Sequence, residues 1–183
     1  MHSPARRSRS ATERAEQAVI INALRRIVRA IRISSRAAEE TLGVSGAQLF
    51  VLQQLGRHPA ASLGELAELT LTDQSSVSVV VSRLVARRLV VRRTSASDAR
   101  RAELSLSVRG RALLGRAPDL AQTHLIAALN QIRDPELRIT AQVLDAVARA
   151  MGGDGEPSMF FEADAAAPKP KTRRRRPARK AAS

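Results

Sequence analysis

Residues 62–114 read SLGELAELTLTDQSSVSVVVSRLVARRLVVRRTSASDARRAELSLSVRGRALL. Ser62-x-x-Glu65 is a capping box, in which a serine hydroxyl and a carboxylate reciprocally satisfy the free amides of a helix start, and it opens a short helix through Leu69. Thr72-Asp73-Gln74-Ser75 is a second start signal. Behind it Val77, Val80, Val81, Leu84 and Val85 form an i, i+3, i+4, i+7, i+8 stripe, one apolar face of a helix. At about 100° per residue the opposite face holds Ser75, Val79 and Ser82, flanked by Ser76, Ser78 and Arg83. After Arg88 the period drops to two. Leu89-Val90-Val91-Arg92-Arg93 is a β-branched run, and Ala102, Leu104 and Leu106 alternate with Glu103, Ser105 and Ser107. The polar Thr94–Arg101 between them makes a hairpin with a long tip.

Short helix, tight turn, second helix and basic hairpin is the order of a winged helix-turn-helix, whose second helix enters the major groove of DNA. The flanks are helical. Residues 12–40 place Ile20, Leu24, Ile27, Val28 and Ile31 at helical spacing among Arg25, Arg26, Arg29 and Arg32, and Gly43 ends the segment. Ser45-x-x-Gln48 is another capping box, and Pro59 follows the helix it opens. Beyond Gly110 the sequence is helical with a break at Pro118. Leu125, Leu129 and Ile132 form one stripe, and Leu144, Val147, Ala148 and Met151 form another after Pro135. One small winged lobe offers too little surface for these end stripes. They are expected to pair with a second copy in a two-fold homodimer. The alternative is a monomer whose end helices fold back on their own core.

The chain has 183 residues, 44% hydrophobic, enough for one domain with a sizeable core. Its formal net charge is +14, with no Cys, Trp or Tyr. That composition excludes a disulfide framework, thiolate zinc sites and cysteine redox sensing. It also argues against readers that stack unpaired bases on aromatic rings. No apolar run approaches the roughly 18–20 residues that span a bilayer. The start MHSPARRSRS has no apolar stretch behind it, so a cytoplasmic chain with no membrane partner is expected. Residues 1–14 carry +3, residues 15–151 carry +7 with Arg alone, and residues 152–183 carry +4 with all three lysines.

The expected organisation is a disordered basic arm at 1–11 and one mainly α domain with a β-hairpin wing at 12–151. Within it, 12–40 and 119–151 are dimerisation helices and 45–110 is the DNA-binding lobe. A disordered basic tail follows at 152–183. Met159-Phe160-Phe161 is either a greasy spot in that tail or a docking segment. PKPKTRRRRPARK resembles linker-histone tails. It is read either as a solubilising extension or as extra phosphate contacts through Arg173, Arg174, Arg175 and Arg176, in which case deleting 168–183 flattens the salt dependence of binding.

Over residues 15–150, and most sharply over 62–114, the sequence resembles the MarR family of bacterial transcriptional regulators. The signature is the wing motif Asp98-Ala99-Arg100, the strand Ala102–Ser107 and Gly110, expected to open the next helix. The resemblance implies that Asp98 orients the wing by pairing with a guanidinium and that Arg100 reaches DNA in the minor groove. Two positions depart: Ala99 replaces the usual Arg, with Arg92, Arg93 and Arg101 near enough to compensate. Arg88 replaces the usual Gly before the first wing strand and is expected to alter the exit from the recognition helix. The DNA-contacting set is therefore Gln74, Ser75, Ser76, Ser78, Val79, Ser82, Arg83, Arg92, Arg93, Asp98, Arg100 and Arg101. Gln74 is the candidate for adenine and Val79 for a thymine methyl, while the serines position more than they specify. The idle-surface reading of the serines stays open.

The resemblance also implies a pseudo-palindromic double-stranded operator and a small aromatic or anionic effector, for which Arg57 and His58 are candidate contacts. His58 before Pro59 also suits a helix end. His2, His58 and His124 lack metal-ligand spacing, so no metal or cofactor is expected. With no nucleophile–base set, glycine-rich phosphate loop or carboxylate cluster, no enzyme is expected either. The leading expectation is a sequence-specific homodimeric regulator, with repression as the sense that predominates in the family. The alternative is a low-specificity, nucleoid-associated DNA organiser.

Overall fold

The computed structural model describes residues 10–94 and 102–152. They form α1 (Ala11–Leu42), α2 (Gly46–Arg57), α3 (Leu63–Thr70), α4 (Gln74–Ala86), β1 (Val90–Thr94), β2 (Ala102–Leu106), α5 (Val108–Leu114), α6 (Ala121–Leu129) and α7 (Asp134–Ala150). The chain is mainly helical with one two-stranded antiparallel hairpin. Both capping boxes read in the sequence form, at Ser45/Gln48 and Ser62/Glu65, and a third stands at Ser10/Glu13.

The core runs from Ala38 to Leu120 and is centred on α2. Leu49, Phe50, Leu52 and Leu55 from α2 meet Leu66 of α3, Val77, Val80, Val81 and Leu84 of α4, and Leu104 of β2. Full burial of each large side chain contributes about 1.5–3 kcal/mol, so this layer holds the lobe together. The apolar stripe of α4 buries as far as Leu84. Val85, the last residue of the expected stripe, is instead 37% exposed, one residue before the helix ends.

The exit from α4 corrects one expectation. Arg88 takes the left-handed conformation, φ 58°, that a glycine would adopt there. Its amide donates to Val85 O (2.9 Å) and the Leu89 amide to Leu84 O (2.9 Å), the paired bonds of a Schellman end. The path is therefore that of a glycine-ended helix, and the side chain is accommodated with backbone strain of about 1–2 kcal/mol. Leu71 ends α3 in the same conformation, φ 53°. Leu89, read as the first strand residue, is buried just ahead of β1.

The hairpin pairs Val90 with Leu106 and Thr94 with Ala102. Leu104 also bridges Ala61, its amide donating to Ala61 O at 2.9 Å, which ties the wing's base to the α2–α3 turn. Gly110 does not open the next helix. Ser107 is the N-cap of α5, and Gly110 is the third residue inside it. A β-carbon at Gly110 would stand 2.1 Å from Leu89 O, so the residue is required by close approach of α5 to the exit of α4.

The C-terminal helices behave differently from each other. α6 is anchored to its own chain. Leu120 and Gln122 are buried, the Ala121 amide donates to Ser34 Oγ of α1 (3.2 Å), and Thr123 Oγ1 donates to Gln53 Oε1 of α2 (3.0 Å). Ile132, expected to extend the α6 stripe, falls in the turn before α7, and Pro135 sits in the first turn of α7. α7 has no buried residue, and Ala38 is the one buried residue of α1.

Candidate nucleic-acid interface

The candidate interface is built on α4 and the hairpin. Burial of Val77, Val80, Val81 and Leu84 turns the opposite side of α4 outward. Gln74, Ser75, Val79 and Ser82 are exposed there, with Ser76, Ser78 and Arg83 half-buried beside them. These residues lie together on one helix, as their spacing requires.

Asp73 caps α4. One of its carboxylate oxygens accepts from the Ser76 amide (2.8 Å) and from the Ser75 hydroxyl. Bonds from the Ser75 side chain first, then from Ser76, hold the Asp73 carboxyl down at about 2 against an ordinary 3.8. The charge also suits the positive end of the helix dipole. With its proton committed to Asp73, the Ser75 hydroxyl presents lone pairs outward. It is then an acceptor suited to a base amino group rather than a donor to a phosphate oxygen. The first two turns of α4 carry no cation, and Arg83 is its one basic residue.

The hairpin supplies the positive charge. Strand alternation separates the two arginines of β1. Arg92 shares the face of buried Val90, whereas Arg93 and Val91 line a concavity on the opposite face. Adjacency and shared charge group Arg92 with Arg93 in the sequence, and the fold divides them. Asp98, Arg100 and Arg101 lie outside the described residues, as do Arg173 to Arg176 and Met159–Phe161.

A residue that sequence reasoning missed is Arg87. Its Nη1 donates to Gln48 Oε1 at 2.9 Å, joining the end of α4 to the capping box that starts α2. An i-to-i−39 side-chain bond has no local signature. Arg57 and His58 line a second concavity of about 660 Å³ with Pro59, Glu65, Glu68 and Leu69. Two carboxylates face the two basic residues there, so the site is not a simple anion cradle. His58 also caps α2, its amide donating to Gln54 O at 2.8 Å. Among the described residues no group of three or more His, Asp or Glu could hold a metal ion. No described helix is long and apolar enough to cross a membrane.

Residues 42–101 match the model of the MarR family. The HTH-type transcriptional repressor MdtR of Bacillus subtilis is 37% identical over 71 residues, which are 39% of this chain and 46% of MdtR. The match thus spans about half the length of that curated relative. Among solved structures, Streptococcus pneumoniae FabT in complex with DNA aligns over 75% of this chain and 97% of its own, at 12% identity and a TM-score of 0.53. Wild-type MarR from E. coli, in its apo form, aligns over 69% of this chain and 94% of its own, at 19% identity and a TM-score of 0.49. The residues matched by the family model are those of α2 to α4 and the first strand of the hairpin, and over them the chain is similar to the MarR family.

Proposed function

We propose that the protein is a homodimeric, sequence-specific DNA-binding transcriptional regulator acting as a repressor. The observation that carries this reading is the outward face of α4. It holds Gln74, Ser75, Val79 and Ser82 on a helix fixed from behind by four buried side chains and beside an arginine-bearing hairpin. Small side chains let the helix enter the major groove closely, Gln74 suits adenine and Val79 suits a thymine methyl. The same fold in FabT is found in complex with DNA, and MdtR is named a repressor. In this reading Asp98 orients the wing, and Arg100, with Arg101, reaches the minor groove. Gln74, Ser75, Ser76, Ser78, Val79, Ser82 and Arg83 face the major groove, and Arg93, with Arg92 on the other face of the hairpin, adds positive charge beside it.

Dimerisation is supported by the uncovered apolar faces of α1 and α7. Val19, Ile20 and Ile21 are successive and all exposed, spanning more than half the circumference of α1, and Ile139, Val143, Leu144 and Val147 are exposed on α7. Exposed apolar surface of this extent marks an interface. Two copies would place two recognition helices on the two halves of a pseudo-palindrome. Release by a small aromatic or anionic effector completes the reading and rests on the family resemblance.

The test is footprinting on the DNA around the gene with bulk competitor present. Protection of an inverted repeat, lost with Val79→Asp and weakened with Arg100→Ala while the dimer persists, is the expected result. Uniform coating with no preferred site would replace the reading with a low-specificity DNA organiser.

A further inference from the structure

A concavity of about 680 Å³ opens between the exit of α4, the outer face of the hairpin and the start of α5. Four arginines line it, Arg88, Arg93, Arg109 and Arg111, together with Val91 and Ser107. No carboxylate lines it, although Glu103 stands opposite Arg93 in the hairpin register. The four come from three elements: Arg88 from the left-handed exit of α4, Arg93 from strand β1, and Arg109 and Arg111 from α5. All four side chains are exposed.

The walls are fixed. Ser107 Oγ donates to Arg88 O (2.7 Å) and accepts from the Gly110 amide (2.9 Å), locking the exit of α4 to the start of α5. Arg111 Nη1 donates to Leu106 O at 2.8 Å, which holds its guanidinium against the hairpin. The tight approach of Gly110 to Leu89 O brings Arg109 and Arg111 next to Arg88. Four like charges gathered on a rigid frame repel one another, and a polyanion relieves that cost.

We propose that this concavity grips the phosphate backbone of DNA flanking the half-site read by α4. The proposal rests on the DNA-binding reading above and deepens it. Two of its walls continue the candidate interface, Arg88 from the end of α4 and Arg93 from the strand that leads to the wing tip. The division of labour follows from charge. The base-facing side of α4 has no cation in its first two turns, so affinity must come from elsewhere, and phosphate contacts supply it without selecting sequence.

The test uses the full chain carrying Arg88→Gly and Arg109→Ala together, glycine being chosen because position 88 is left-handed. Circular dichroism and the thermal midpoint establish that the variant folds, and Arg109→Ala alone, at an exposed site, serves as a second variant. Binding is measured against salt on a duplex ending at the footprint and on one extended by about one helical turn, about 10 base pairs, on each side. The double variant is expected to lower the slope of log affinity against log salt by about 2, at about 0.9 for each phosphate that an arginine no longer neutralises. Arg109→Ala alone should lower it by about half as much. The wild type should gain affinity on the extended duplex, and the double variant should not. A wild-type slope and length dependence in the variants overturns the proposal. So does binding of inorganic triphosphate that the double variant loses while its duplex slope stays unchanged, since the site would then hold a free anion. Failure of the wild-type chain to bind any duplex would instead overturn the DNA-binding reading itself.

Discussion

The lobe around α2 and the helices α1 and α7 all carry apolar stripes, with opposite fates. From Val44 to Leu120 the apolar side chains close on one another, and Leu49, Leu52, Leu66, Leu84 and Leu104 are fully buried. On α1 and α7, Val19, Ile20, Ile139 and Val143 are each more than half exposed. The lobe is complete in one chain, whereas the end helices present a periodic apolar face with nothing on it. The amphipathic pattern is sharper in α1 and α7 than in α2 to α4, so periodicity marks an apolar face without saying what covers it.

The sharpest way to break the lobe is at its tightest contact. Gly110→Ala would set a β-carbon 2.1 Å from Leu89 O, where the neighbour is backbone and cannot swing away. A loss of about 3 kcal/mol or more is expected in denaturant unfolding, with the hairpin and α5 displaced. Leu84→Ala, at a fully buried site, should cost about 2–5 kcal/mol. The contrasting change is Val143→Glu on α7. No residue of α7 is buried against the core, so the lobe should keep its fold while sedimentation shows monomers. A variant that unfolds as Gly110→Ala does would mean that α7 is part of the lobe.

Within the lobe, smaller effects are expected at the two ends of α4. Arg88→Gly should raise stability by about 1 kcal/mol, because glycine adopts the left-handed exit of α4 without the clash that Arg88 bears. At Asp73 the folded carboxyl titrates at about 2, below its ordinary 3.8. A depressed acid stabilises the folded state above its unfolded value. That contribution is therefore present above about pH 4 and is lost as the pH falls through about 2. Asp73→Ala should lower the thermal midpoint at pH 7, by a margin that narrows as the pH falls through about 2.

Much of the fold is legible in the sequence because it is local. The capping boxes at Ser45 and Ser62 need only residues three apart, and the stripe of α4 needs only one helix. What the sequence conceals is tertiary. Gly110 reads as a helix opener, since a glycine does not announce which backbone approaches it. The left-handed exit at Arg88 is hidden by its side chain, and the bridge between Ala61 and Leu104 involves a single residue with no strand pattern. The opposite orientations of Arg92 and Arg93 follow from period two, yet their shared charge suggests a shared task until the concavity separates them.

Reading of sequence by α4, as one half of a symmetric pair, is tested by selection from a pool of random duplexes with the full chain. The predicted result is enrichment of an inverted repeat whose half-sites lie about one helical turn, 10–10.5 base pairs, or a multiple of it apart, lost on Val79→Asp. Recovery of sequences indistinguishable from the starting pool, at equal affinity, would contradict it.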